Sequence, residues 1–288
     1  MKIAWRQRQR TALMSTTGSP KTHKITVRDL SEMKARGAKI VVLTAYDYLF
    51  ARLVDEGGAD IVLVGDSLGQ VVLGYDSTLP VTIEDMIHHA RLVRRGVKRA
   101  MLVVDMPFMS FQVSSEETLR NAGRILKETG CEAVKIEGGD EQTADCVRAL
   151  VRAGIPVMGH IGLTPQSVHA FGGYRVQGRA AADVARIKAE AERLQDAGCF
   201  SIVLELMPAG LAGDISRALH IPTIGIGAGP TVDGQVLVLY DMLGLNDGFK
   251  PKFLRRFADL AAQTRTGIQT FVDAVRDGSY PAAEHSFD

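Results

Sequence analysis

The chain has 288 residues, with 34 basic against 33 acidic side chains and a formal net charge of +1, so bulk charge does not make it a nucleic-acid binder. An apolar share of 46 %, with 29 glycines, 10 prolines and a mean hydropathy of +0.04, excludes a disordered or collagen-like chain. The longest apolar runs are interrupted by Asp60, Asp66, Asp105 or Glu205, well short of the roughly 18 residues a membrane helix needs.

Residues 1–28 contain no Asp or Glu, but they carry Lys2, Arg6, Arg8, Arg10, Lys21, Lys24 and Arg28. Residues 1–24 read as a basic, disordered extension; an organelle transit peptide, also Arg-rich and acid-poor, is the other reading the composition leaves open. Cys131, Cys146 and Cys199 are odd in number and widely spaced, with no C-x-x-C pair. They suggest neither a disulfide framework nor a zinc site, and they point to a reducing, cytoplasmic interior.

From residue 39 onward a pattern recurs: a short β-branched run, a loop of Gly, Asp or Pro, then an amphipathic helical stretch. Runs at 40–43, 61–64, 101–104, 133–136, 157–158, 202–204, 223–226 and 236–239 predict eight strands. Between them, 83–95 reads as a helix entered through Thr82 with Asp85 behind it, and 115–129 as a helix stopped by Gly130. A third, 181–197, stops at Gly198 and places Val184, Ile187, Ala191 and Leu194 on its apolar face. Residues 252–277 predict a C-terminal helical segment. Strands that are apolar throughout belong to a sheet covered on both faces. Their number and spacing favour a (β/α)8 TIM barrel over a doubly wound sheet. Residues 25–288 therefore read as one (β/α)8 barrel domain.

In such a barrel the strand ends surround one mouth, so the residues late in each run, or just after it, converge. The second run ends in Asp66 and Ser67 (V-G-D-S-L-G), the third in Asp105 (V-V-D-M-P-F), and the fourth in Glu137 behind Lys135 (V-K-I-E-G-G). The fifth ends at His160 (M-G-H-I-G-L-T-P-Q), the sixth carries Glu205 (V-L-E-L-M-P), and the seventh ends in G-I-G-A-G at 225–229. Carboxylates at adjacent strand ends repel one another unless a hard divalent cation sits among them. Asp66, Asp105 and Glu137 offer oxygen alone, which suits Mg2+ better than Zn2+. Each taken singly reads equally as a helix N-cap or a loop acid.

Lys135 shares a side of its strand with Glu137 and is expected to meet an anion, either those carboxylates or a substrate's; the plain alternative is a lysine snorkelling to the strand end. Glu205 has apolar neighbours, where desolvation suits a carboxylate to act as general base, or it pairs with a base such as Lys135. His160 can shuttle protons or hold a substrate oxygen, although a lone histidine is as readily structural. The G-I-G-A-G glycines fit either a phosphate cradle or a tight turn, and F-G-G-Y-R-V-Q-G at 171–178 fits a mobile lid or a surface excursion.

Several segments agree in order with one family: T-A-Y-D-Y (44–48), V-G-D-S-L-G, G-Y-D-S-T-L-P-V-T (74–82), D-M-P-F, V-K-I-E-G-G, G-H-I-G-L-T-P-Q-S-V, F-G-G-Y-R-V-Q-G, I-G-I-G-A-G and the tail Y-P-A-A-E-H-S-F. Together, over residues 25–287, they closely resemble the ketopantoate hydroxymethyltransferase family. The resemblance implies a Mg2+-dependent barrel that moves a one-carbon unit from 5,10-methylenetetrahydrofolate to 3-methyl-2-oxobutanoate, giving 2-dehydropantoate for pantothenate and coenzyme A synthesis. It implies small-molecule partners, neither nucleic acid nor membrane, and a homo-oligomer, a decamer in that family. Carried over motif by motif, it places metal at Asp66, Asp105 and Glu137, substrate contacts at Asp66, Ser67, Asp105 and Lys135, the proton acceptor at Glu205, and His160 near the cluster. Because that substrate carries no phosphate, the glycine loop is expected to shape the mouth.

Two rival readings remain at this point. One is a Mg2+-dependent 2-oxo acid carbon–carbon lyase or phosphonomutase of the related barrel type, which typically relies on a loop cysteine, and no cysteine here follows a strand. The other is an inactive barrel serving as a scaffold, which the loss of a site acid would support; all are present.

Overall fold

The computed structural model describes residues 23–287, so most of the basic arm lies outside the described residues. Lys24, at its end, is anchored: its Nζ donates to the Ala100 carbonyl at 2.6 Å. A helix that the apolar pattern does not predict follows, α1 (Val27–Ala35). Thr26 and Asp29 cap it reciprocally, each side chain accepting from the other's backbone N–H. Its Leu30, with Ile25, packs against Ile40, Ile61 and Met101 at the starts of three strands, so α1 plugs that end of the barrel.

Eight parallel strands close the barrel in chain order: β1 (Ile40–Thr44), β2 (Ile61–Val64), β3 (Met101–Asp105), β4 (Ala133–Glu137), β5 (Val157–Gly162), β6 (Ser201–Glu205), β7 (Thr223–Ile226) and β8 (Gly234–Leu237), which pairs back onto β1. Around it run α2 (Tyr48–Glu56), the short α3 (Leu68–Val71), α4 (Ile83–Gly96), α5 (Ser115–Thr129), α6 (Glu141–Arg152), α7 (Ala181–Ala197) and α8 (Ala209–Ala218). The short α9 (Leu239–Met242) and α10 (Leu260–Asp277) complete the chain's main elements. The expected (β/α)8 fold is the one observed. Among the described residues, no helix is long and apolar enough to cross a membrane.

Strand parity positions everything that follows. Ile61, Leu63, Met101, Val103, Ala133, Met158 and Val203 pack together inside the barrel. Their alternate neighbours Val62, Val64, Leu102, Val104, Val134, Ile202 and Leu204 pack beneath the helices. Fully buried side chains such as Leu102 and Ile202 each contribute about 1.5–3 kcal/mol through the apolar surface they withdraw from water. Continued along each strand, the inward rows end in Asp105, in Lys135 and Glu137, in His160 and in Glu205. The alternation that fills the barrel with apolar groups thus also aims these polar groups at its mouth.

Three boundaries differ from the sequence reading by more than one residue. The last strand begins at Gly234, before the apolar run 236–239, because a Cβ there would collide with the Ile40 carbonyl and the following Gln235 faces outward. The fifth continues through His160 to Gly162, since its polar residue faces inward within a regular ladder. The segment 252–277 is helical only from Leu260 onward. Before that, turns fold the chain back onto α9, with the Phe257 N–H donating to the Met242 carbonyl at 2.9 Å.

Candidate active site

A cavity of about 380 Å³ lies at the mouth where the strands end, and Asp66, Ser67, Asp105, Lys135, Glu137, His160 and Glu205 all line it. Every site residue named from the sequence is therefore brought to one place. Strand register sets the partners: Asp105 lies opposite Lys135, Glu137 opposite His160, and Gly162 opposite Glu205. Lys135 Nζ is 2.7 Å from Asp105 Oδ1 and 3.7 Å from Glu137 Oε1. The other Asp105 oxygen accepts the Asp66 N–H at 3.1 Å. His160 stands between two acids, Nδ1 3.2 Å from Glu137 Oε1 and Nε2 3.2 Å from Glu205 Oε2, and neither contact has hydrogen-bond geometry. Glu205 thus faces His160 on the neighbouring strand and not Lys135, one strand further away.

Two residues escaped the sequence reading. Gln166, in the 3-10 turn Pro165–Ser167 after β5, is buried and spans the acids: Nε2 donates to Asp66 Oδ2 at 2.9 Å and its backbone N–H to Glu137 Oε2 at 3.0 Å. Its Oε1 accepts from Gln112 Nε2 at 3.0 Å, which fixes the amide's orientation. The Tyr46 hydroxyl lies 2.9 Å from Ser67 Oγ. Both residues sit inside motifs quoted above, but as neutral side chains they add nothing to a charge pattern.

The cluster holds four acids against one lysine and one histidine, nearly all buried. Burial first, then Glu137 and Asp105, push the Asp66 carboxyl well above its usual range. Burial likewise raises Asp105, in spite of Lys135 beside it. Burial acts to raise Glu137 as well, yet His160, Lys135 and the Gln166 N–H outweigh it and hold the carboxyl low. For His160, burial and Lys135 disfavour the proton, but Glu137 and Glu205 prevail and push the ring up to about 9, so it is charged at neutral pH. Among the described residues, no three His, Cys, Asp or Glu side chains stand ready as a metal cage; Lys135 and Gln166 bridge the acids instead.

Glu205 is aimed by the backbone around it. Leu206 adopts the left-handed region at φ 45°, held by its N–H donating to the Ile226 carbonyl at 2.9 Å and its carbonyl accepting the Gln177 N–H at 2.8 Å. Gln177 belongs to the loop 171–178, whose Tyr174 lines the cavity. Across from Glu205, Gly162 has φ 94°, and a Cβ there would meet the Glu205 carbonyl. Gly162→Ala is therefore expected to cost about 1–3 kcal/mol of stability, measured by urea unfolding, and to reduce turnover by shifting Glu205. A variant as stable and as active as its parent would show that this contact positions nothing.

Four acids, a lysine and a histidine gathered at the mouth of a closed parallel barrel define a TIM-barrel enzyme. Solved structures share the fold: 2,3-dimethylmalate lyase, of the PEP mutase/isocitrate lyase superfamily, has TM-score 0.56 and 16 % identity and covers 91 % of each chain. Phosphoenolpyruvate phosphomutase from Streptomyces platensis subsp. rosaceus has TM-score 0.58 and 14 % identity over 88 % of each chain. At these identities the likeness is one of fold alone. The family model described as ketopantoate hydroxymethyltransferase matches residues 24–283. The 3-methyl-2-oxobutanoate hydroxymethyltransferase of Syntrophotalea carbinolica is 55 % identical over 91 % of this chain and 98 % of its own. That of Syntrophus aciditrophicus is 54 % identical over 93 % and 98 %. The chain belongs to the ketopantoate hydroxymethyltransferase family and is a transferase. The lyase and phosphonomutase reading is set aside by these relatives, and none of Cys131, Cys146 and Cys199 lines the cavity.

Proposed function

We propose that the enzyme transfers the one-carbon unit of 5,10-methylenetetrahydrofolate to C3 of 3-methyl-2-oxobutanoate through an enolate, with Mg2+ as its resident metal. The products are 2-dehydropantoate and tetrahydrofolate. The observation that carries this reading is the surplus of buried negative charge. Asp66, Asp105 and Glu137 present oxygen donors only, and with Glu205 they make four acids around one lysine and one histidine in the same cavity. This donor set fits a hard cation, and Mg2+ keeps several of its waters, so it needs only some of these oxygens directly. When bound, it would polarise the keto group and offset the negative charge that grows there as C3 loses its hydrogen.

The remaining steps belong to the chain's own residues. Lys135 and the Ser67 hydroxyl, held by Tyr46, bind the substrate carboxylate and fix which face of C3 is presented. Glu205 takes the C3 proton. His160, with Nε2 3.2 Å from Glu205 Oε2, sets a positive charge beside that carboxylate. The folate ring opens to its N5-iminium form as N10 takes the equivalent of the proton released from C3; the enolate carbon bonds to the methylene carbon, and water then displaces N5 from that carbon, its oxygen becoming the hydroxyl and its proton passing to N5.

The proposal extends to a cytoplasmic homo-oligomer, a decamer by family resemblance. Ile268, Phe271 and Val275 support it, standing exposed along one side of α10. The chemistry is tested by NMR of deuterium exchange at C3 of 3-methyl-2-oxobutanoate. Exchange is expected to require Mg2+, to stop with EDTA, and to give way to hydroxymethyl product when the folate is added. Exchange at an undiminished rate in EDTA, or no product with folate, would count against the reading.

A further inference from the structure

The cavity extends past the acidic cluster to a wall formed by the segment after α9, where Phe249, Pro251, Phe253 and Leu254 line it together with Asp241 and Asn246. Phe253 leans over the end of β7: a Cβ on Gly227 would lie 3.2 Å from its ring, so this glycine of G-I-G-A-G is what admits the wall. Asp241, in α9, is only 6 % exposed. Its Oδ1 accepts from Asn246 Nδ2 at 2.9 Å, and no other protein donor among the described residues reaches the carboxylate. Burial pushes this carboxyl up beyond what Asn246 and Arg256 offset. Nothing in the chemistry at Asp66 to Glu205 uses it.

A half-paired carboxylate beside aromatic rings fits a flat heterocycle with adjacent N–H donors. We propose that this end of the cavity binds the pterin ring of the folate, with Asp241 accepting from the pterin N3–H and 2-amino group and Phe249 and Phe253 lying against the ring. The assignment rests on the folate reading above. A carboxylate offers two acceptors side by side, and the 2-amino-4-oxopyrimidine edge offers two donors side by side. Asn246 fixes the rotation at which they meet. The same acid disfavours the reverse orientation, because the glutamate tail is anionic. The exposed Lys250 and Lys252 flank the wall where that tail would leave.

The test measures binding of tetrahydrofolate and of its 2-desamino analogue to the Mg2+-loaded enzyme by titration calorimetry. The parent is expected to bind the analogue about 10- to 100-fold more weakly. Asp241→Ala is expected to lose a similar factor for tetrahydrofolate and to stop distinguishing the two ligands. Phe249→Ala, at a side chain 45 % exposed and so of little weight in the fold, is expected to weaken tetrahydrofolate at least about fivefold. A folded Asp241→Ala that still separates the two ligands as the parent does overturns the subsite. If that variant does not fold, Phe249→Ala binding with the parent's affinity overturns it instead. A parent that binds no tetrahydrofolate refutes the donor itself, and the subsite with it, which is a result distinct from either variant's.

Discussion

Glu205→Gln is expected to slow Mg2+-dependent deuterium exchange at C3 of 3-methyl-2-oxobutanoate by about 100-fold or more, the range lost with a positioned base. The amide keeps the volume of the carboxyl and cannot take the proton. Glu205 lies outside the proposed metal set, so Mg2+ affinity by calorimetry is expected to stay close to the parent's. The pair of measurements separates a base from a ligand. Its placement supports the role: β6 ends there, Leu206 turns the chain at positive φ, and the side chain, 15 % exposed, faces His160 inside the cavity. Unchanged exchange would move the base elsewhere, and a parallel fall in metal affinity would make Glu205 a ligand.

Lys135→Met is expected to have the largest effect on stability. The ammonium is buried against Asp105 and Glu137, and although burial disfavours its proton, these acids and Asp66 hold it well above its usual range. Methionine fills the stem's space and removes the charge, leaving buried Asp105 without its cation and Glu137 with His160 alone. Breaking a buried pair in this way costs about 3–5 kcal/mol, which for a domain of this size lowers the melting temperature by about 10 °C. Metal-free protein should show the full loss, and saturating Mg2+ should recover part of it, because binding to the folded state alone stabilises that state. The KM for the oxo acid should rise as well, through loss of the carboxylate's partner. A metal-free melting temperature equal to the parent's would mean that the acids are not charged together, and the metal proposal would fall with that premise.

Much of this site is legible in the sequence because a strand alternates with period two. Once β3, β4, β5 and β6 are placed, Asp105, Lys135, Glu137, His160 and Glu205 must share the inward side with Val103, Ala133, Met158 and Val203. Asp66 and Ser67 follow a run that ends at Val64, just where a barrel mouth lies. The pairing of Glu205 was not legible. Either Lys135 or His160 satisfies a carboxylate chemically, and the choice depends on which strand is adjacent and in what register.

The sequence by itself determined the barrel, several of the helices that cover it and the identity of the charged residues at its mouth, because apolar period, caps and glycine stops are local signals that each segment carries alone. Only the tertiary structure decided that α1 plugs the strand-start end, that Gln166 ties Asp66 to Glu137, that His160 divides two acids, and that Asp241 faces an aromatic wall. These are contacts between elements far apart in the chain, several of them made by neutral side chains. Interstrand register and loop folding create them, and a neutral amide or a single aspartate has no periodicity that would announce its partner.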